Sequence, residues 1–599
     1  MKTKLLLGLI ILLLLPVATA QAEKTGSINL LAMSELDKGI YRGSIADLTL
    51  EIQEGKGRVF VNTFPISKID TQISMRFAQQ IACKHAEIDC SKYDFIYTIK
   101  AQSSIIGGPS AGAATSILTI SLLTDLKLDE NTAITGTINS GDLIGPVGGI
   151  KAKIDAAAKS NIKKVLVPKG SVEKDNETNI IEHGKELGIE IVEVSTLNDA
   201  LYHFTGKTFE KPKKDLVVDK EYTNIMKTLA VALCNRTNYL QEQYLKTKPE
   251  NVINETILEH DVSALEEKEK SKLFFDVKDY YTAASYCFRA NIEYKYLSYY
   301  FQNLTEDEKE NKTHQLGNAI EVFEDYIDSK QISTITDMQA YMITKERIDE
   351  AEERKNLAIE NLNNTKEAVY WLAFATERLN SAESWSSFFG AKGQEFIIDN
   401  ETLKQSCQVK ISEAEERYQY VNFYFPDILS QTRKEIDKAK SDMKAENYIM
   451  CLYKASRAKA QADTVMSMIG VGNSMINETI MQKISAAEQA IIEQQDAGIF
   501  PIMGYSYFEY ANSLKEEDSP SSTIYAEYAL ELSNFDFYFE KKKAMGFSGI
   551  NKKLAFILVL GICIGYLISV FLSEKKPNKK QKTRHDIRIR SAKRRKSSH

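Results

Sequence analysis

Ser110 carries a hydroxyl that could act as a nucleophile, in the glycine-rich segment GGPSAGAATS at residues 107–116. A serine hydroxyl attacks a carbonyl only when a neighbouring base removes its proton, and the oxyanion that forms must be stabilised. Whether Ser110 can react therefore depends on the structural elements that position it beside a base and beside hydrogen-bond donors for the oxyanion.

A strand and a helix are predicted on either side of this serine. Residues 93–100, YDFIYTIK, alternate with aromatic and β-branched side chains, which predicts a strand. Residues 111–126 are small or branched apolar residues without a breaker, which predicts a buried helix. Ser110 would then lie where a strand turns into a helix. Free backbone N–H groups and the positive end of the helix dipole at that point favour a developing oxyanion.

Three interpretations compete for this turn. A phosphate-binding loop is excluded because no Gly-Lys-Ser/Thr follows the glycines. A nucleophile elbow matches literally, as G-x-S-x-G from Gly108 to Gly112, and His183 or His203 could complete a triad. Few residues precede the strand, however, for the leading sheet of that fold. A tight glycine turn that packs a helix on a sheet is the non-catalytic alternative.

The downstream sequence AITGTINSGDLIGPVGGIKAKIDAAAKSNIKKVLVPKG, residues 133–170, adds several further motifs in a fixed order. With GPSAG, the T-G pair, PVGGxKxK and VxVPK, it closely resembles the proteolytic domain of Lon proteases. The resemblance extends over residues 26–206 and implies an α+β domain that hydrolyses peptide bonds.

Carried over by this resemblance, Ser110 is the nucleophile, Lys153 the general base and Thr135 the hydroxyl that positions the lysine amine. Gly108 and Ala111 are supporting residues of the same turn. A Ser–Lys pair is chemically consistent if burial lowers the lysine pKa from about 10.4 towards neutrality. Lys151 and Lys153 lie about 200° apart on a helix, so periodicity does not choose between them; the family spacing does.

Two residues depart from the family pattern. The family usually has an acidic residue just before GPSAG and a glutamate after T-G, where this chain has Gly107 and Thr137. Both positions lie near the reacting centre by analogy. We therefore expect these two departures to bear on substrate preference and rate more than on the identity of the Ser–Lys dyad.

The first residues are typical of an export signal. Lys2 and Lys4 precede an apolar run and the small-residue stretch ATAQA, which predicts a signal peptide at residues 1–22, with an uncleaved anchor as the alternative. Export permits disulfides, and six cysteines form three pairs of sequence neighbours: Cys83 and Cys90, Cys234 and Cys287, Cys407 and Cys451. Buried free thiols are the other possibility.

Eight N-x-T sequons predict a glycosylated surface if the chain is exported. Their acceptors are Asn176, Asn235, Asn254, Asn303, Asn311, Asn363, Asn400 and Asn477.

Residues 214–545 predict an all-α region, because glycine and proline are scarce, charges alternate in sign and apolar residues recur at helical spacing. An imperfect repeat aligns Tyr281, Tyr370, Tyr448 and Tyr525, spaced by 89, 78 and 77 residues. We expect four helical hairpins stacked as a bundle or solenoid. The aromatic stripes would form the core or, alternatively, line a peptide-binding groove.

Residues 554–572 contain no charge over a length that can cross a bilayer, which predicts one transmembrane helix. Residues 573–599 carry twelve Lys or Arg and two acids, a net +10 against −6 for the whole chain. A basic tail beside a span marks its cytosolic side, so we expect a single-pass type I protein of the plasma membrane with the preceding regions outside.

The sequence thus predicts a membrane-anchored, ATP-independent serine endopeptidase that acts on exported or membrane-protein segments. No Walker motif occurs in the sequence, and neither a cofactor nor a nucleic-acid partner is expected. The resemblance implies polypeptide substrates and a homo-oligomeric ring, commonly a hexamer. A cell-surface interaction protein with an inactive or only self-cleaving protease-like domain is the alternative function.

Overall fold

The computed structural model describes residues 24–37, 40–101, 107–171, 179–209, 214–249, 255–468, 471, 475–539, 541–542 and 560–569. The chain divides into two compact units, with the boundary after Lys541. The predicted signal peptide at 1–22 and the basic tail at 573–599 lie outside the described residues, as do the sequons at Asn176 and Asn254.

A seven-stranded mixed sheet forms the centre of the first part of the chain, in the order β3-β4-β2-β1-β5-β8-β9. Pairs β1–β2 and β2–β4 are antiparallel, and the remaining neighbours are parallel. A separate hairpin is made by β6 and β7. The strands are β1 Lys24–Asp37, β2 Ile40–Glu54, β3 Val59–Phe64, β4 Tyr93–Ala101, β5 Thr132–Ile134, β6 Thr137–Asn139, β7 Leu143–Gly145, β8 Lys164–Pro168 and β9 Glu190–Val194.

Helices cover both faces of this sheet: α1 Ile69–His85, α2 Gly112–Leu123, α3 Ile150–Ala158, α4 Ile180–Glu186 and α5 Leu197–Thr205. Residues of α1, α2 and α5 share one apolar core, and residues of α3 and α4 share another. Successive residues of β1 divide between them, because Leu30 belongs to the first core and Leu31 to the second. The domain is therefore α/β, and the expected α+β class is corrected, since helices are not segregated to one face.

The strand and the helix predicted around Ser110 are confirmed as β4 and α2. Phe95, Tyr97 and Ile99 alternate along β4 and are fully buried, as the sequence pattern indicated. Helix α2 ends at Leu123, earlier than predicted, because the chain reverses at Asp125 with a positive φ of 56°.

The region that follows is all helical, as predicted, but its repeat unit is a group of three helices rather than a hairpin. Each of the four aligned tyrosines lies on the third helix of a group, and the three helices of each group pack on one another. The groups are α6 Lys220–Thr247, α7 Glu255–Asp276 and α8 Tyr280–Gln302; α9 Glu306–Asp328, α10 Ile335–Glu360 and α11 Thr365–Trp385; α12 Asn400–Tyr424, α13 Ser430–Lys444 and α14 Tyr448–Met468; α15 Ile476–Asp496, α16 Ile502–Leu514 and α17 Ser519–Leu532. The expected two-helix period is thus wrong.

The four groups close on one another instead of extending as an open solenoid. Helix α8 packs on α11, α10 on α14, α14 on α17, and α16 returns to α8. One apolar core accordingly contains residues of all four groups, among them Tyr281, Met338, Tyr453 and Tyr505. The region is a single compact bundle.

This bundle packs directly on the α/β domain. Ser140, in the turn between β6 and β7, donates a hydrogen bond to Glu527 Oε2 at 2.8 Å, and Lys84 Nζ donates to Asn534 Oδ1 at 2.9 Å. The guanidinium of Arg417 stacks on the ring of Phe77, 3.4 Å from its centroid. Hydrogen bonds and a cation–π contact therefore connect α1 and the β6–β7 hairpin to the helical region.

The three predicted disulfides are confirmed as Cys83–Cys90, Cys234–Cys287 and Cys407–Cys451. Cys234–Cys287 joins the first and third helices of the first group. Cys407–Cys451 joins the first and third helices of the third group. Six sequon acceptors, Asn235, Asn303, Asn311, Asn363, Asn400 and Asn477, are exposed and therefore accessible.

In the second unit the structure describes a helix at residues 560–569 within the predicted span at 554–572. Among the described residues, no helix is both long enough and apolar enough to cross a membrane.

Candidate active site

Two side chains of helix α1 hydrogen-bond to the turn that carries Ser110. Ser74 Oγ donates to the carbonyl of Pro109 at 3.2 Å, and Thr71 Oγ1 donates to that of Gly108 at 3.4 Å. Gly108 has a positive φ of 97°, which a side chain would disfavour. These contacts fix the backbone that leads into Ser110, two residues before α2 begins.

Gly136 connects this turn to the other side of the site. Its N–H donates to the carbonyl of Ser110 at 3.1 Å, and its carbonyl accepts from the N–H of Ala113 at 3.1 Å. A Cβ at this position would lie 2.5 Å from a side-chain carbon of Ile144, so only glycine fits without a shift. Because Thr135 precedes Gly136, the serine turn and the threonine hydroxyl are held side by side.

Lys153 brings a buried amine to this threonine. Its Nζ donates to Thr135 Oγ1 at 3.0 Å, and the residue is only 3 % exposed while Thr135 is fully buried. Desolvation lowers the pKa of the Lys153 amine from 10.5 to about 8. The amine is therefore partly neutral near physiological pH, which is the state a general base requires.

Burial distinguishes Lys151 from Lys153, which helical periodicity alone could not do. Gly149, with a positive φ of 67°, directly precedes α3, on which Lys151 faces solvent and Lys153 faces the interior. Only Lys153 can therefore have its pKa lowered by desolvation. The position chosen by the family spacing is the buried one.

Ser110 and Lys153 do not hydrogen-bond to each other in this structure. The lysine amine donates to Thr135, while the backbone carbonyl of Ser110 accepts from the N–H of Gly136. Catalytic hydrogen bonds often tighten only when substrate is bound. The arrangement places the Lys153 amine beside the serine turn, joined to it through the Thr135–Gly136 pair.

Among the hydrogen bonds that the structure describes, neither histidine of the elbow interpretation is bonded to Ser110. His183 Nε2 is hydrogen-bonded to Asp155 Oδ1 at 2.7 Å, on the outer side of α3. His203 contacts the ring of Tyr202, and burial lowers its imidazole pKa. A Ser–His–Asp triad is thus not assembled by these residues.

The N–H groups of Ser110 and Ala111 make no hydrogen bond to another backbone or side-chain group that the structure describes. The next two amides are engaged, since Gly112 N–H donates to Pro109 and Ala113 N–H to Gly136. Free amides at the start of a buried helix are suited to bind an oxyanion.

Sequence analysis missed three residues of the site: Thr71, Ser74 and Gly136. The first two lie three residues apart, on one face of α1, but nothing in the sequence marks that face as touching the serine turn. Gly136 belongs to the T-G pair that was noted without a role. The two residues that depart from the family pattern are also described. Gly107 lies beside Lys68, and Thr137 pairs with Gly145 in the β6–β7 hairpin.

Within the described ranges, no group of His, Cys, Asp and Glu side chains is placed to hold a metal ion. The side chains of the site offer a hydroxyl, an amine and a second hydroxyl, which suit nucleophilic and acid–base chemistry.

Comparison with known proteins identifies similarity in this domain. Residues 74–205 match the family model of the Lon protease (S16) C-terminal proteolytic domain. The archaeal Lon protease of Archaeoglobus fulgidus is 29% identical over 184 residues, 31% of this chain and 28% of the relative. That of Methanothermobacter thermautotrophicus is 30% identical over 185 residues, with the same two shares. The Lon protease of Azospirillum brasilense is 39% identical over 98 residues, 16% of this chain and 12% of the relative. The chain spans under a third of the length of these curated relatives.

Proposed function

We propose that this chain, which carries a Lon-like serine protease domain, is an endopeptidase that uses Ser110 as nucleophile and Lys153 as general base. One observation carries the proposal: a buried lysine amine with a lowered pKa donates to Thr135, whose neighbour Gly136 is bonded to Ser110. The hydroxyl of Thr135 holds the amine in place and leaves the nitrogen lone pair of neutral lysine available.

The reaction proceeds in two halves. Ser110 Oγ attacks the carbonyl carbon of the scissile peptide bond while Lys153 Nζ takes the hydroxyl proton. The lysine ammonium then returns that proton to the leaving amine, the C–N bond breaks, and an acyl-enzyme remains. Water attacks the ester with Lys153 again as base, and the acid product leaves as Ser110 recovers its proton.

The N–H groups of Ser110 and Ala111 bind the oxyanion that forms in each half. They lie at the start of α2, whose dipole favours negative charge, and most of that helix is buried, which strengthens the interaction. Because these are backbone groups held by the turn, they need no reorganisation during the reaction.

The substrates are flexible segments of exported or membrane proteins, and cleavage does not require ATP. The sequence has no Walker motif, so this chain has no nucleotide-driven unfolding step of its own. Polypeptides that are already unfolded or extended fit such an enzyme. A ring of identical copies is the assembly that the family resemblance suggests.

We place the enzyme at the plasma membrane as a single-pass type I protein, with residues 26–545 outside, residues 554–572 as the anchor and 573–599 inside. The charge asymmetry around residues 554–572, the export-like N-terminus, the three disulfides and the exposed sequons support this location. Protease added to intact cells should degrade the region around Asn303 and spare the tail. Trimming of the tail with Asn303 intact would reverse the topology.

A serine-reactive phosphonate probe tests the function directly. Labelling of wild-type protein that disappears in Ser110→Ala and is strongly reduced in Lys153→Ala supports the proposal. The second candidate, an interaction protein with an inactive domain, is favoured by the absence of a Ser110–Lys153 hydrogen bond in the described structure. It predicts no labelling and no cleavage of unfolded protein in the presence or absence of ATP.

A further inference from the structure

A cavity of about 780 Å³ lies where the four helical groups meet, outside the protease site. Helices α8, α10, α11, α13, α14, α16 and α17 all contribute to its wall. Its volume is in the range of about 300–1,000 Å³ that ligand pockets occupy. Glu353 and Lys438 at its edge are about half exposed, so the cavity opens to solvent. Two of the repeat tyrosines, Tyr281 and Tyr525, line it.

Arginines cluster on one wall. Arg347, Arg378 and Arg457 surround the carboxylate of Glu346, with nitrogen–oxygen distances of 3.4, 3.9 and 3.1 Å. One carboxylate therefore faces three guanidinium groups. The cavity lining holds seven cationic and six anionic side chains, although the whole chain has a net charge of −6.

The ion pairs of the lining leave some arginine donors without an acceptor, although Arg378 also forms a close ion pair with Glu350. Lys454 is paired with both Asp349 and Asp442, at 3.0 and 2.8 Å. By contrast, the Nε atoms of Arg354, Arg378 and Arg457 are buried and have no hydrogen-bond partner among the described residues. With the residues that the structure describes, Arg354 makes two ion pairs, both long, at 3.6 and 4.0 Å. Buried donors without acceptors are costly, and a carboxylate is the acceptor whose geometry fits a guanidinium best.

The rest of the wall is aromatic. The rings of Tyr510 and Tyr525 lie 4.7 Å apart, and Tyr281 lies 5.8 Å from Tyr510 and 5.9 Å from Trp385. Such faces accept an apolar or aromatic side chain next to the charged group.

We propose that this cavity binds an acidic segment of a polypeptide, in which carboxylates alternate with apolar or aromatic side chains. The carboxylates accept hydrogen bonds from Arg354, Arg378 and Arg457, and the apolar side chains contact the tyrosine wall. This inference rests on the proposed endopeptidase function, since it names a feature of the substrate that the helical region selects. Binding is measured apart from cleavage, so either can fail alone.

The experiment uses the full-length Ser110→Ala protein, which holds a peptide without cutting it. The probe is a fluorescein-labelled peptide rich in glutamate and phenylalanine, followed by fluorescence anisotropy; its control has glutamine in place of every glutamate. We expect the acidic peptide to bind at least about tenfold more tightly than the control, because each carboxylate gains charge-assisted hydrogen bonds. Equal affinity for the two peptides would overturn the proposal.

Variants locate the site. Arg354→Gln should weaken binding of the acidic peptide about tenfold, and Tyr510→Leu, which leaves the charge unchanged, should weaken it severalfold. Arg76→Gln is the matched control, because Arg76 has one long ion pair, at 3.7 Å to Glu416, and does not line the cavity. Thermal unfolding confirms that each variant is folded.

Two results count against the site. Unchanged binding in both Arg354→Gln and Tyr510→Leu would place the peptide elsewhere. Displacement of the acidic peptide by an equal concentration of a single-stranded oligonucleotide would indicate a site for any polyanion. If acidic peptides bind as expected but wild-type protein cleaves nothing, the binding inference stands and the endopeptidase function fails.

Discussion

The amine of Lys153 and the hydroxyl of Thr135 form a buried hydrogen bond of 3.0 Å beside the backbone that carries Ser110. Among the residues that the structure describes, no charged group offsets the desolvation that lowers the lysine pKa to about 8. The same burial thus gives the amine the lowered pKa that a general base needs and also costs folding stability, and the two effects can be measured separately.

Activity should rise with pH through the titration of Lys153. The protonated amine cannot accept the Ser110 proton, so kcat/KM is low below the lysine pKa and levels off above it. With a pKa of about 8, the rate at pH 7 should be about a tenth of the plateau. Initial rates on a fluorogenic peptide between pH 6 and 10 measure the profile. A midpoint near the ordinary lysine value would contradict the lowered pKa, and a flat profile would exclude Lys153 as the base.

Lys153→Met should stabilise the protein while abolishing activity. Because the folded-state pKa is depressed, the unfolded chain binds more protons between about pH 8 and 10.5, and stability rises with pH over that interval. Removing the amine should therefore add up to about 3 kcal/mol to the free energy of unfolding below pH 8. The gain should shrink towards zero as the pH approaches 10.5.

Chemical denaturation at pH 7 and at pH 10.5 tests this difference. Lys151→Met is the matched control, since Lys151 is exposed and should change stability little at either pH. A Lys153→Met variant that is less stable than wild type at pH 7 would contradict the role of desolvation.

Glu527 should be the most sensitive position at the junction of the two regions. It forms an ion pair with Lys483, both side chains are 1 % exposed, and it also accepts the hydrogen bond from Ser140. Glu527→Gln leaves the lysine charge buried without a counter-charge and should cost about 3–5 kcal/mol of stability. The double variant Lys483→Met/Glu527→Leu should recover most of that loss. Denaturation curves of the two variants give the comparison; equal losses would show that the charge is not the cause.

Local patterns predicted the elements of the active site well. The alternation of residues 93–100 and the apolar run after Ser110 give β4 and α2, and the spacing of GPSAG, T-G and GGIKAK selects the buried Lys153. The three disulfides also follow from sequence neighbours. These features depend on residues close in sequence or on a family spacing, so one chain is enough to find them.

Contacts between distant segments could not be predicted in the same way. The Ser140–Glu527 hydrogen bond joins residues 387 positions apart, and the stacking of Arg417 on Phe77 has no periodic signal. The repeat of about 80 residues was visible, but its tyrosines mark only the third helix of each group. Because that repeat marks neither of the other two helices, the sequence suggested hairpins where the structure has groups of three helices.

Peptide cleavage by single and double variants at positions 110 and 153 tests the central claim most directly. Ser110→Ala and Lys153→Ala should each abolish measurable cleavage of an unfolded protein, and the double variant should be no worse, since the pair acts as one unit. Thr135→Ala should cost less, because its hydroxyl only positions the amine, and His183→Ala and His203→Ala should retain activity. Loss of activity in either histidine variant, with Lys153→Ala still active, would contradict the Ser–Lys mechanism.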